Sequence, residues 1–161
     1  MTSRVIQTRK VWQATKRETT KLAAREVRVG VVKREDHPSG LTAAQLMAIH
    51  EYGSPTRRIP ERSILRTVIG EQRAALDDLL REGVREASTG GGLQKITPTR
   101  LLAAAGRLLS KRMRQRFGSP ALAPNVVDVG KRGPLLDTGA LRRAIRYQVV
   151  DRGQVVEEGD E

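Results

Sequence analysis

The sequence predicts an α+β fold, with a small antiparallel sheet packed against two or three longer helices and long extended loops between them. Three observations carry this. Glu26 to Lys33, EVRVGVVK, alternates with Val27, Val29 and Val31 on one side, the pattern of a half-buried strand. Residues 61–87 and 98–117 carry apolar side chains at steps of three and four, the spacing of one helix face. Residues 144–150 and 154–157 read as two short strands around the turn Asp151-Arg152-Gly153.

In chain order, residues 1–10 read as an N-terminal arm. Residues 11–25 form a helix with a weak stripe of Val11, Trp12, Thr15, Thr19 and Leu22, and Trp12 is expected to anchor it on a neighbour. After the first strand, Asp36, Pro38, Ser39 and Gly40 mark a loop in which His37 is a surface residue. Leu41-Thr42 opens the next helix, with Thr42 or Ser39 as cap. This helix stops at Gly53, where positive φ is tolerated.

A turn, Ser54-Pro55, and an exposed basic pair, Arg57-Arg58, lead to Pro60 in the first turn of the long helix. Leu65, Val68, Ile69, Leu76, Leu79, Leu80 and Val84 form its apolar side, opposite charges of mixed sign. Residues 88–97 form a Gly-rich joint. Its glycines lack the preceding strand and the Gly-Lys-Ser/Thr of a phosphate loop.

Thr97-Pro98 starts the next helix, whose apolar side is Leu101, Leu102, Ala105, Leu108, Leu109 and Met113. Arg100, Arg107, Lys111 and Arg114 line the opposite side as a basic stripe. Arg112 and Arg116 project toward the apolar side near the helix end, where they must snorkel or meet carboxylates. Residues 118–136 form a long loop rich in Gly and Pro, and the acidic tail at 158–161 is expected to fray.

The 161 residues suit one domain, 1–161, with a core of Leu, Ile, Val and Ala, since there are one Trp, two Tyr and one Phe. No run approaches the roughly 20 apolar residues of a membrane span, and the first ten residues lack a signal-peptide core. Without cysteine there is no disulfide or thiolate chemistry. The formal net charge of +12 is uneven, with residues 98–118 basic and the last eleven residues acidic. Such a balance points to a polyanion or an acidic partner surface, because counterion release alone gives affinity for nucleic acid.

No constellation calls for an enzyme, a metal or a cofactor. Asp137-Thr138-Gly139 matches the aspartic-protease tripeptide, but there is no second copy and no β-rich flank, so a turn cap is the simpler account. His50-Glu51 lacks the second histidine of a helical zinc motif, and His50 is read as a helix-end residue bonding carbonyls or a neighbouring subunit.

Two strings carry a resemblance. The first is Ala48-Ile49-His50-Glu51-Tyr52-Gly53, followed by Ile59-Pro60-Glu61-Arg62-Ser63-Ile64-Leu65-Arg66. The second runs from Leu122-Ala123-Pro124 through Lys131-Arg132-Gly133 to Pro134-Leu135-Leu136-Asp137-Thr138-Gly139-Ala140-Leu141. Together they resemble the tail-completion, or head–tail joining, proteins of Mu-like and related tailed bacteriophages. Tyr52 and Ile64 stand where that family more often has Phe.

The resemblance implies a single virion-assembly domain acting by assembly, not catalysis. Its subunits would form a ring in the neck between the head-side connector or portal and the tail tube or terminator, after assembly in the host cytoplasm. On this reading His50, Glu51, Tyr52, Gly53, Ile59, Pro60, Arg62, Leu65, Arg66, Asp137, Thr138, Gly139 and Leu141 are motif and subunit-interface residues. The stripe Arg100, Arg107, Lys111 and Arg114 would face packaged DNA without sequence specificity, and no membrane is involved. The alternatives are a basic nucleic-acid-binding accessory protein, or a tail-terminator or head-closure subunit of the same virion region.

Overall fold

The computed structural model describes residues 2–32, 40–88, 97–119, 122 and 139–160. The fold is α+β, as expected. Among the described residues, five α-helices, α1 (Thr2–Ala23), α2 (Ala43–Tyr52), α3 (Leu65–Ser88), α4 (Pro98–Arg116) and the single turn α5 (Ala140–Arg143), accompany three strands. The strands β1 (Arg25–Gly30), β2 (Arg146–Asp151) and β3 (Gln154–Gly159) form one antiparallel sheet in the order β1-β2-β3.

β1 pairs with β2 in unbroken register from Arg25 opposite Asp151 to Gly30 opposite Arg146. β2 and β3 form a hairpin closed by Arg152 and Gly153, both at positive φ (52° and 85°). Two central residues of that hand match the twist of the flanking strands. A register shift at Val149/Val150 bends the outer strand.

The central strand is the most buried, with Tyr147 to Val150 all covered. Its Tyr147 and Val149 meet Leu102 and Ala103 of α4, with Leu22, Val27 and Val29 packed around them. Two glycines make room for the Tyr147 ring. A Cβ on Gly106 would lie 2.6 Å from Tyr147 Cδ2, and one on Gly159 would lie 2.9 Å from Tyr147 Cε1. The second cluster joins Met47, Ile64, Val68, Leu109, Met113, Phe117, Leu122, Leu141 and Ile145, so α2, the start of α3 and the end of α4 share one core.

Several expectations are corrected. Residues 2–10 are helical and continuous with 11–23, so there is no separate arm. Trp12 does not anchor α1, being 65 % exposed, while Val11, Thr15, Glu18 and Leu22 turn inward. The sheet is covered by α4, whereas α3 packs on α4 and α1 as a second layer. Pro60 lies outside α3, which begins only at Leu65.

The acidic end is also ordered by pairing. Glu158 and Gly159 belong to β3, opposite Gln148 and Tyr147, and Asp160 Oδ2 lies 3.5 Å from Arg114 Nη2. Residues 89–96 of the Gly-rich joint, the loop containing His37 and most of the 118–136 loop lie outside the described residues. No helix among the described residues is long and apolar enough to cross a membrane.

Candidate functional site

The first motif string folds into a clasp between the end of α2 and the start of α3. α2 is well begun: the Thr42 hydroxyl accepts from the Gln45 N–H, and the Gln45 side chain accepts from the Thr42 N–H, a reciprocal capping box. At its other end Gly53 takes φ 71°, ψ 176°, a conformation open essentially to glycine. A Cβ there would also stand 3.0 Å from both Glu61 N and Ile59 O. The motif glycine is therefore required by backbone geometry twice over.

The loop beyond it is closed by a two-bond bridge. Ser54 N–H donates to Ile59 O (2.8 Å) and Ile59 N–H donates to Ser54 O (2.9 Å). Between them Pro55–Arg57 make one 3₁₀ turn, and Arg58 sits in the left-handed region at φ 53°. Pro55, Thr56, Arg57 and Arg58 are all exposed.

The residue preceding α3 is Ile64, which has no side-chain oxygen to cap the helix. Glu51 supplies the missing acceptor from α2. Its Oε2 accepts the N–H groups of Ile64 (2.8 Å) and Leu65 (2.9 Å). Its Oε1 accepts the Arg66 N–H (2.9 Å) and the Ser63 hydroxyl (3.0 Å). A carboxylate against a helix N-terminus satisfies orphan donors and opposes the helix dipole. Burial raises the Glu51 pKa, but the bonds from Arg66, Leu65, Ile64 and Ser63 outweigh it and hold the carboxyl below its ordinary value. Glu51 is ionised at neutral pH with 3 % of its surface exposed.

The clasp also runs in the other direction. The final carbonyls of α2 receive donors from the α3 side, with Arg62 N–H on His50 O (2.7 Å) and Arg66 Nη2 on Glu51 O (2.9 Å). The Arg62 guanidinium is buried, with Nη1 3.1 Å from His50 Nδ1. A guanidinium can only donate, so Nδ1 accepts and the imidazole proton is on Nε2. Burial first, and the Arg62 charge second, lower the His50 pKa to about 4. Arg66 bridges outward, donating to Glu61 Oε1 (2.7 Å) and lying 4.9 Å from the centre of the Tyr52 ring.

The predicted motif residues thus divide cleanly. His50, Glu51, Gly53, Ile59, Arg62 and Arg66 hold one another, and half-buried Leu65 packs on the core beside the fully buried Ile64. Tyr52 projects outward at 66 % exposure. Reading these residues as interface contacts missed their local work. No local signal marks this role, because the acceptor comes from another helix twelve or more residues upstream and Ser63 is itself a residue type that caps helices.

Of the second string, Asp137 and Thr138 lie outside the described residues. Gly139 stands at φ 69° ahead of α5, and Leu141 is buried in the core.

The basic stripe of α4 is not one surface. Arg107 Nη1 donates to Tyr147 Oη (3.1 Å) and lies 3.4 Å from Glu157. Arg114 is largely buried, and its Nη2 donates to Ile145 O (2.7 Å). Arg100 and Lys111 remain exposed. Of the two arginines expected to snorkel or find carboxylates, Arg116 meets Glu71 of α3 (2.8 Å) within the chain, and Arg112 is exposed and donates to Gln115 (3.2 Å). No family model, curated protein or solved structure matches the chain.

Proposed function

We propose that this chain is a structural subunit of a tailed-phage neck, a tail-completion or head–tail joining protein that works by assembling into a ring between capsid and tail. The observation that carries the proposal is the clasp. The residues of the resembling string act as one unit, tying two helices through a buried carboxylate and a buried guanidinium. That unit holds a short basic hairpin, Pro55–Arg58, and the exposed Tyr52 in a fixed orientation. A rigidly presented aromatic and two arginines suit the core of a protein–protein contact.

The ring would be built from a heterologous interface that closes on itself. Its neighbours would be further copies of this chain, a portal-side connector, and a tail-tube or terminator protein, with packaged DNA in the lumen. Cryo-electron microscopy of intact virions tests this. Density for this chain in a symmetric ring at the neck is the expected result, with Tyr52 and Pro55–Arg58 at a subunit boundary. Virions lacking the chain would overturn the proposal.

A further inference from the structure

The exposed face of α1 carries cations around a single tryptophan. Residues 9, 12, 13, 16, 17 and 20 fall on one side of a helix turning 100° per residue. Arg9, Trp12, Gln13, Lys16, Arg17 and Thr20 are all exposed. The acid of this segment, Glu18, is on the opposite, half-buried side and pairs with Lys21 (2.6 Å). Arg9, Lys16 and Arg17 make no ion pair among the described residues. Trp12 is the only tryptophan of the chain and stands 65 % exposed amid these cations.

We infer that this face of α1 is a nucleic-acid contact surface, on which Arg9, Lys16 and Arg17 take phosphates and the Trp12 ring stacks on an accessible base. Cations around one flat aromatic, with no carboxylate among them, match both chemistries of a nucleic-acid strand. Gln13 and Thr20 add neutral hydrogen-bonding groups on the same side. Arg9 and Lys16 stand roughly 10 Å apart along the axis, a distance that a few nucleotides cover. A lipid surface fits less well. A helix lying in a bilayer interface needs a continuous apolar face, and on α1 the apolar Val11 and Leu22 are turned toward the protein. The inference stands on α1 alone and goes beyond the neck assignment, since it requires no ring.

Because Trp12 is unique, its emission reports on this face in the full-length protein. The experiment titrates the protein with a short oligothymidylate, with the same sequence annealed to its complement, and with phosphatidylserine vesicles. A labelled oligonucleotide gives affinity by anisotropy over a salt series. The single strand is expected to quench Trp12 and to bind with a log–log salt slope of roughly −2, the value for three phosphates on a single strand. Trp12→Ala should weaken binding by on the order of tenfold. The triple variant R9E/K16E/R17E should flatten the salt slope. R100E/K111E on α4 should have a smaller effect than that triple variant, and far-UV circular dichroism confirms that each variant is folded.

Unchanged Trp12 emission with every nucleic acid would overturn the inference. So would a larger loss from the α4 pair than from the α1 triple, or a Trp12 shift seen with vesicles alone. Tighter binding of the duplex with no effect of Trp12→Ala would overturn the base-stacking role. None of these outcomes bears on whether the chain sits in a virion neck, so the two proposals fail separately.

Discussion

Glu51 is the residue on which the joint between α2 and α3 depends, and its removal has a calculable effect. Glu51→Ala strips three backbone N–H groups at the start of α3, together with the Ser63 hydroxyl, of their acceptor. Hydrogen bonds to a charged group contribute about 1.5–3 kcal/mol each when considered singly, and a helix cap about 1 kcal/mol. These terms are not additive, because water can enter the space beside the half-exposed Arg66. A net loss of about 3–4 kcal/mol is expected, which lowers the melting temperature by about 10 °C in a chain of this size. Glu51→Gln keeps the shape and one acceptor but turns an amide N–H₂ toward donors, so about 2 kcal/mol should be lost. Glu61→Ala removes a carboxylate that pairs with the same Arg66 but is 55 % exposed, and should lose under about 1 kcal/mol. Urea denaturation of the three variants checks the order. A Glu51→Ala protein within 1 kcal/mol of the parent, or no worse than Glu61→Ala, would refute a capping role for the buried carboxylate.

Acidification should destabilise the protein in two stages. His50 is held neutral with a pKa of about 4 against 6.5 in the unfolded chain, so between these values the unfolded state binds the extra proton. Stability therefore falls as the pH drops from 6.5 toward 4, by on the order of 1–2 kcal/mol once screening of a part-exposed ring is allowed for. Glu51 adds a further loss below the ordinary carboxylate range, and His50→Gln should flatten the first stage in denaturation curves taken across pH. Gly106→Ala should destabilise by about 1–3 kcal/mol, because its Cβ would meet the Tyr147 ring at 2.6 Å. Gly70→Ala, in helical backbone with nothing within 4 Å of the new Cβ, should stabilise by about 0.5–1 kcal/mol, and urea denaturation checks both glycine variants. Arg57→Glu should leave the urea midpoint unchanged within error while reducing incorporation into virions, as expected of an exposed residue that serves a contact.

The parts of the fold legible in the sequence were those set by local periodicity and turn chemistry. Val27 and Val29 alternate because one face of β1 meets α4, and Arg152-Gly153 supplies the two positive φ angles a tight hairpin needs. The helix start at Thr42, one of the two caps expected, is likewise set by residues only three apart, Thr42 and Gln45. What was not legible depended on partners distant in sequence. Helical spacing placed Arg107 and Arg114 on one side of α4, but could not tell that β2 and β3 fold against that side with Tyr147, Glu157 and Asp160. The start of α3 was misplaced for the same reason, since its cap comes from another helix. Trp12 departs from the burial that bulk and apolarity argue for, because the helix turns its smaller Val11, Thr15 and Leu22 inward.

The same distinction bears on how the motif string should be read. A residue can recur in a motif because it touches a partner or because it holds the touching residues in place, and sequence alone does not separate the two. Here burial and hydrogen bonding separate them. Glu51 and Arg62 are covered and engaged within the chain, so neither can gain from a partner without first losing the clasp. Tyr52, Arg57 and Arg58 are exposed on the same short segment, and Arg58 is held at a positive φ that only the closed loop enforces. Two residues of the segment thus shape the corner, and the neighbours they orient are the ones available to a second protein. A variant at Glu51 should therefore impair assembly only as far as it impairs folding. A variant at Arg57 should impair assembly alone, and that contrast is what an interface built on a structural clasp requires.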